Sequence, residues 1–172
     1  MEAGDRREKL LKILHERSKA VSGSRLAEEL GVSRQVIVQD IALLRAGGEN
    51  IFATPQGYLL TLSGKDVVKR VFACIHGADG IGEELLTIVN SGGKVLDVIV
   101  EHPLYGDLRG LLMLATPADV QDYLKNYRAS QAKPLSVLTE GVHLHTIEAE
   151  NVSLLGTIEK ALKEKGFLFQ QT

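Results

Sequence analysis

Gly31-Val32-Ser33 is the feature that most restricts this chain, because it joins two short amphipathic stretches with almost no slack. Before it, Leu26, Ala27 and Leu30 give residues 25–30 one apolar face, and Ala27 is small enough to let a second helix approach closely. Gly31 suits the left-handed position that ends a helix. Val32 plugs the space between the helices, and Ser33 caps a following helix that runs to about Arg45 and stops at Gly47-Gly48. Val36 or Ile37, with Ile41 and Leu44, anchors that helix inward. An earlier helix over residues 5–17 carries Leu10, Leu11, Ile13 and Leu14 on one side. Two short strands, residues 51–53 and 58–62, flank the turn Thr54-Pro55-Gln56-Gly57 as a hairpin. Three helices and a hairpin make a winged helix-turn-helix over residues 1–64.

The anchoring leaves Ser33, Arg34, Gln35 and Gln39 outward on the first half of the third helix, the part such modules insert into the major groove. Arg and Gln can form paired hydrogen bonds to guanine and adenine edges, and a helix N-terminus receives phosphate. Gln56 at the hairpin tip is the wing's contact with phosphate or minor groove. Double-stranded operator DNA is therefore the expected partner. Charge adds little to this. Residues 1–62 carry nine Lys/Arg against eight Asp/Glu, the remainder eleven against fourteen, and the sum is -2.

Ser63-Gly64-Lys65 is small and polar, the expected linker to a second domain over residues 65–172. There, strands are expected at 67–76, 94–102, 108–115, near 135–138 and at 142–149, with helices at 81–90, 116–130 and 151–165. The fold class is α+β, the second domain having two layers. Hydrophobic residues are 44% and charged residues 24% of the chain, typical of a soluble globular protein. No apolar run is long enough to span a membrane, and the charged N-terminus does not resemble a signal peptide. Cys74, the one cysteine, sits in an apolar strand as a small buried hydrophobe. With nothing to bridge, it fits a reducing cytoplasm.

Four of the five histidines lie in this second half, at or near strand ends, and His15 lies on the exposed side of the first helix. His143 and His145, two apart on a strand, project from one face. His76 ends another strand, and Gly77-Ala78-Asp79-Gly80 can turn the chain back over the sheet. That brings Glu84, or its neighbour Glu83, to the same place on the next helix. Three imidazoles and a carboxylate would hold divalent Zn, Ni, Mn or Fe with coordination positions open, for catalysis or for ligand capture.

His76 with Glu84, then Val98-Ile99-Val100-Glu101-His102-Pro103-Leu104-Tyr105-Gly106, then Gly141-Val142-His143-Leu144-His145, resembles the 3H domain. The N-terminal third is similar to the winged helix of biotin-operon repressors. Together they resemble the niacin-responsive repressors of bacterial NAD biosynthesis and niacin uptake. That resemblance implies a homodimer, an HPr-like second domain (antiparallel sheet, helices on one face) and a divalent metal, with nicotinate as corepressor. It assigns His76, Glu84, His143 and His145 as metal ligands, and places His102, Tyr105 and Gly106 beside them around the effector. Nicotinate's pyridine nitrogen can fill an open metal position, and its carboxylate calls for donors such as Arg109, Lys94 or backbone N–H groups. A regulator rather than an enzyme is expected. The rivals are a metal-dependent enzyme and a regulator that senses the metal itself. A metalloenzyme with His143, His145 and Glu148 as cupin-like ligands fits poorly, since Glu148 alternates to the other strand face.

Overall fold

The computed structural model describes residues 2–61 and 67–170, so the linker expected at Ser63-Gly64-Lys65 lies outside the described residues. The chain divides into two compact units between positions 64 and 65.

In the first unit, α1 (Ala3–Glu16), α2 (Gly23–Leu30) and α3 (Arg34–Ala46) precede β1 (Ile51–Thr54) and β2 (Gly57–Leu60), an antiparallel hairpin. Local chemistry sets the helix boundaries. Ser22 Oγ accepts from the Arg25 N–H and Ser33 Oγ from the Val36 N–H, each supplying a free helix-start donor with a partner. Gly31 takes φ 65° at the end of α2, the left-handed cap expected of it. Leu10, Leu14, Leu26, Leu30, Ile37 and Ile41 meet in one core with Ile51. One buried ion pair went unforeseen. Asp40 of α3 accepts from Arg6 Nε at 2.6 Å and Nη2 at 3.2 Å, tying α1 to the third helix.

The second unit is built on a four-stranded antiparallel sheet, order β3-β6-β4-β5, from β3 (Val68–Ile75), β4 (Lys94–His102), β5 (Gly106–Leu114) and β6 (Val142–Ala149). α4 (Ile81–Asn90), α5 (Pro117–Ser130) and α6 (Val152–Glu164) cover one face, and Leu85, Ile88, Val120, Ile158 and Leu162 join Phe72, Val95, Leu114 and Ile147 in a single core. Thr116 and Asp119 form a reciprocal capping box with Pro at the start of α5, and Asn151 caps α6 through the Leu154 N–H. This agrees with the expected α+β class.

The strand expected near 135–138 is instead a 3-10 turn, Leu135–Thr139. Proline before it, and left-handed φ at Glu140 and Gly141 after it, leave too short a straight run to join a ladder. Ile147 on β6 is fully buried in the core between the sheet and its covering helices. Ile147→Val should therefore cost about 0.5–1.5 kcal/mol, read from denaturant unfolding of the second unit's transition.

Candidate metal centre and DNA-facing surface

The alternation of β6 places His143, His145, Ile147 and Ala149 on the helix-covered face. Both imidazoles are thus buried where β6 runs out of apolar residues. α4 begins at Ile81 and turns Leu85 and Ile88 onto the sheet, so Glu84 projects from its first turn toward the same end. A carboxylate there is also favoured by the helix dipole. His76 follows β3 and folds back over this spot because residue 80 has no side chain: a Cβ there would lie 2.7 Å from the His76 ring. Gly141, at φ 94°, lets the start of β6 pass close by, since a Cβ would stand 2.6 Å from the His76 carbonyl oxygen. The Phe167 ring lies edge-on to His76 with centroids 5.4 Å apart.

All three imidazoles converge on Glu84. His76 Nε2 touches Oε2, His143 Nε2 is 3.1 Å from Oε2, and His145 Nε2 is 3.3 Å from Oε1. The His76 and His143 rings, and the His143 and His145 rings, stand edge to face at 4.7 and 4.8 Å. Only 1% of the Glu84 side chain is exposed.

Each ring's other nitrogen meets a backbone carbonyl: His76 Nδ1 at Gly77 O (2.7 Å), His143 Nδ1 at Gly141 O (2.8 Å), His145 Nδ1 at Asp97 O (2.6 Å). A carbonyl only accepts, so each Nδ1 carries the hydrogen. Each neutral ring then aims its Nε2 lone pair at the carboxylate. Three lone pairs facing an anion repel it unless protons or a cation lie between them. Burial acts to raise the Glu84 pKa, but the three imidazoles outweigh it and hold the carboxyl well below the usual carboxylate range. Burial likewise opposes protonation of His76 and His145, yet Glu84 raises both above the ordinary histidine value. Three nitrogens and a carboxylate, each nitrogen oriented by a hydrogen bond from its far side, are a donor set suited to a divalent transition metal.

Glu83, the alternative carboxylate, points elsewhere and pairs with Lys165. Glu148 lies on the other strand face beside Lys69, removing the cupin-like set. His102, Tyr105 and Gly106 occupy the β4–β5 hairpin. There His102 Nδ1 accepts from the N–H groups of Leu104 and Tyr105, and its ring stacks on Tyr105 at 5.0 Å. Counting from the Ile99–Leu144 pair, His102 stands one strand over from the histidine pair and further toward the hairpin end. No hydrogen bond joins it to the four converging residues among those described.

Arg109 is engaged: its Nε donates to the fully buried Asp97 at 2.6 Å, and its Nη2 also meets that carboxylate. Asp97 was missed in the sequence, though a lone acid inside Val95-Leu96-Asp97-Val98 was a signal. It sits at a break in the β4–β6 register, its side chain accepts the Thr146 N–H at 2.8 Å, and its carbonyl orients His145. Cys74 was foreseen as buried but not as a neighbour of the site. Its sulfur, a Glu84 oxygen and a His143 nitrogen lie within 4.8 Å of one another.

In the first unit Arg34, Gln35 and Gln39 are exposed on α3 and Ser33 caps it, as expected. Gln56 does not project freely from the wing. Its amide nitrogen is buried and meets no hydrogen-bond partner among the described residues.

Residues 69–171 match the model of the 3H domain and residues 6–59 that of an HTH domain. The chain is 47% identical over 167 residues, 97% of its length and 95% of the relative's, to the probable transcription repressor NiaR of Thermotoga maritima. The chain belongs to the 3H-domain family of transcription repressors. The transcription repressor NadR of Bacillus subtilis is 41% identical over 169 residues, covering 96% of this chain and 94% of its own. An HTH domain and relatives of this kind make the chain a regulator of transcription rather than an enzyme. No helix among the described residues is long and apolar enough to cross a membrane.

Proposed function

We propose that this 3H-domain repressor acts in the cytoplasm as a homodimer on genes of NAD biosynthesis or niacin uptake. Nicotinate is its corepressor, bound at a divalent-metal site in the second unit, which spans residues 65–172. His76, Glu84, His143 and His145 hold the cation; Ni, Zn, Mn and Fe are the metals suited to such donors. The observation that carries this is the orientation of the three rings: every Nδ1 is committed to a carbonyl and every Nε2 faces one buried carboxylate. When bound, the metal supplies a Lewis-acidic position with room for a pyridine nitrogen. The chain's own residues fix the rings, exclude water through Phe167 and the α4 packing, and keep Glu84 ionised.

His102, Tyr105 and Gly106 form the adjoining hairpin that completes the effector pocket. Arg109, half-exposed, retains donors beyond those given to Asp97 and can meet the nicotinate carboxylate there. Lys94, on the opposite end of β4 from the hairpin, is the poorer choice. On DNA, Arg34, Gln35 and Gln39 read base edges, and Ser33 and the α3 N-terminus meet phosphate.

The test is operator binding followed by fluorescence anisotropy at fixed salt, using a duplex selected from a random pool. Metal with nicotinate should tighten binding at least about 5-fold over metal alone, and a chelator should remove the response. An unchanged affinity on adding nicotinate sinks the corepressor; a change on adding metal alone would identify a metal sensor instead. Arg34→Ala should weaken the same complex by about 1–3 kcal/mol and relax specificity at one base pair.

A further inference from the structure

We propose that Cys74 is a fifth member of the metal centre and binds the cation through sulfur. This rests on the metal reading above and adds a donor to it. β3 and β6 pair antiparallel with Cys74 directly across from His143 and Phe72 across from His145. Residues two apart on a strand share a face, so Cys74 and His76 on the β3 side stand beside His143 and His145 on β6. Glu84 closes this block from α4. The thiol is therefore on the metal-facing side of the sheet, fully buried.

The sulfur lies within 4.8 Å of both the Glu84 oxygen and the His143 nitrogen. Donors sharing one ion at about 2.0–2.3 Å stand roughly 3–4 Å apart. Rotation about χ1, the one heavy-atom torsion of cysteine, is the movement that would bring the sulfur onto a bound ion. Phe72, across from His145, fills the core with an apolar ring, whereas Cys74, across from His143, brings a sulfur donor to the same row.

On binding, the S–H bond breaks, sulfur gives its electron pair to the cation, and the proton leaves to the buffer; nothing is oxidised or reduced. A thiolate makes the site softer. It favours Zn and disfavours Mn, which prefers oxygen donors.

The probe is cobalt(II) titrated into the full chain. The expected result is a sulfur-to-cobalt charge-transfer band in the near ultraviolet that Cys74→Ser and Cys74→Val both lack. Zinc affinity, by competition with a chromogenic chelator, should fall by at least about 10-fold in both variants, the lower bound for losing even a group that only orients a ligand, and Mn affinity should stay unchanged. Cys74→Val fills the volume of the thiol, and its far-ultraviolet circular dichroism checks that the fold survives. Cobalt bound without the band, and with Zn affinity equal in wild type and Cys74→Val, would overturn the sulfur ligand and leave the His/Glu site standing. A wild-type chain that takes up no cobalt and no zinc would overturn both.

Discussion

Glu84→Gln is expected to weaken zinc or nickel binding by more than about 100-fold, exceeding the 10–100-fold typical of losing a group that only orients a ligand. The carboxylate is the one group that all three imidazoles face, and at 1% exposure water cannot replace it. An amide is the same size but brings no charge, so the fold should persist while the cation loses its anionic ligand. Chelator competition measures this directly. Thermal unfolding gives an independent reading. With free metal about 1,000-fold above Kd, binding stabilises the wild type by about 4 kcal/mol. At roughly 4–8 °C per kcal/mol for a domain of this size, its midpoint should rise on the order of 15–30 °C, and that of Glu84→Gln, with metal at most about 10-fold above its own Kd, by no more than about 6–11 °C. If the variant binds metal like wild type, the centre has been misassigned.

The same cluster gives metal binding a pH sense. In the metal-free protein Glu84 is held below the ordinary carboxylate value, near 4.5, and His76 and His145 are raised above the ordinary histidine value, near 6.5. The carboxylate's contribution to stability is present above about 4.5 and lost as pH falls through the depressed folded value. The histidines' contribution is complete below about 6.5 and lost as pH rises through their raised folded values. Protons thus hold the metal-free cluster together most strongly between about 4.5 and 6.5. A metal must displace those protons, so its affinity should climb as pH rises above that window.

Periodicity and end signals made much of this legible. Helix boundaries followed Ser22, Ser33, Thr116 and Asn151, whose side chains satisfy helix-start donors wherever they occur. The histidine pair was legible because strand alternation is rigid over two residues. His76 and Glu84 were legible only as a supposition about a turn; what fixes them is the missing Cβ at Gly80, a contact between residues that no local pattern encodes. The least visible features were pairings across strands. The Cys74–His143 register, the Asp97–Arg109 pair and the inward amide of Gln56 depend on which strand lies beside which, and on one irregularity in β4. A 3-10 turn at Leu135–Thr139 resembled a strand because short apolar runs look alike in both.

Gly57→Ala should be the most damaging single-methyl substitution in the DNA-binding unit. Gly57 opens β2 at φ 130°, and a Cβ there would stand 2.2 Å from the Val21 carbonyl oxygen and 2.6 Å from the Ser22 nitrogen. Those are backbone atoms, so no side chain can swing away. The wing is tied to the approach to α2 by a reciprocal pair, Val21 N–H to Tyr58 O at 2.9 Å and Tyr58 N–H to Val21 O at 2.8 Å. Moving either strand to make room breaks both. Strain at a positive φ costs of order 1–2 kcal/mol, and each lost hydrogen bond about 1. The sum is about 3–4 kcal/mol, or a fall in midpoint on the order of 12–32 °C for a unit of about 60 residues. Gly31→Ala is the control. It shares a positive φ, 65°, but has open space around the added carbon, so its cost should stop near 1 kcal/mol. The outcome that matters is the difference between the two. Equal losses would mean that backbone conformation alone governs both sites, and that the wing's close approach to Val21 contributes nothing to holding the recognition helix in place.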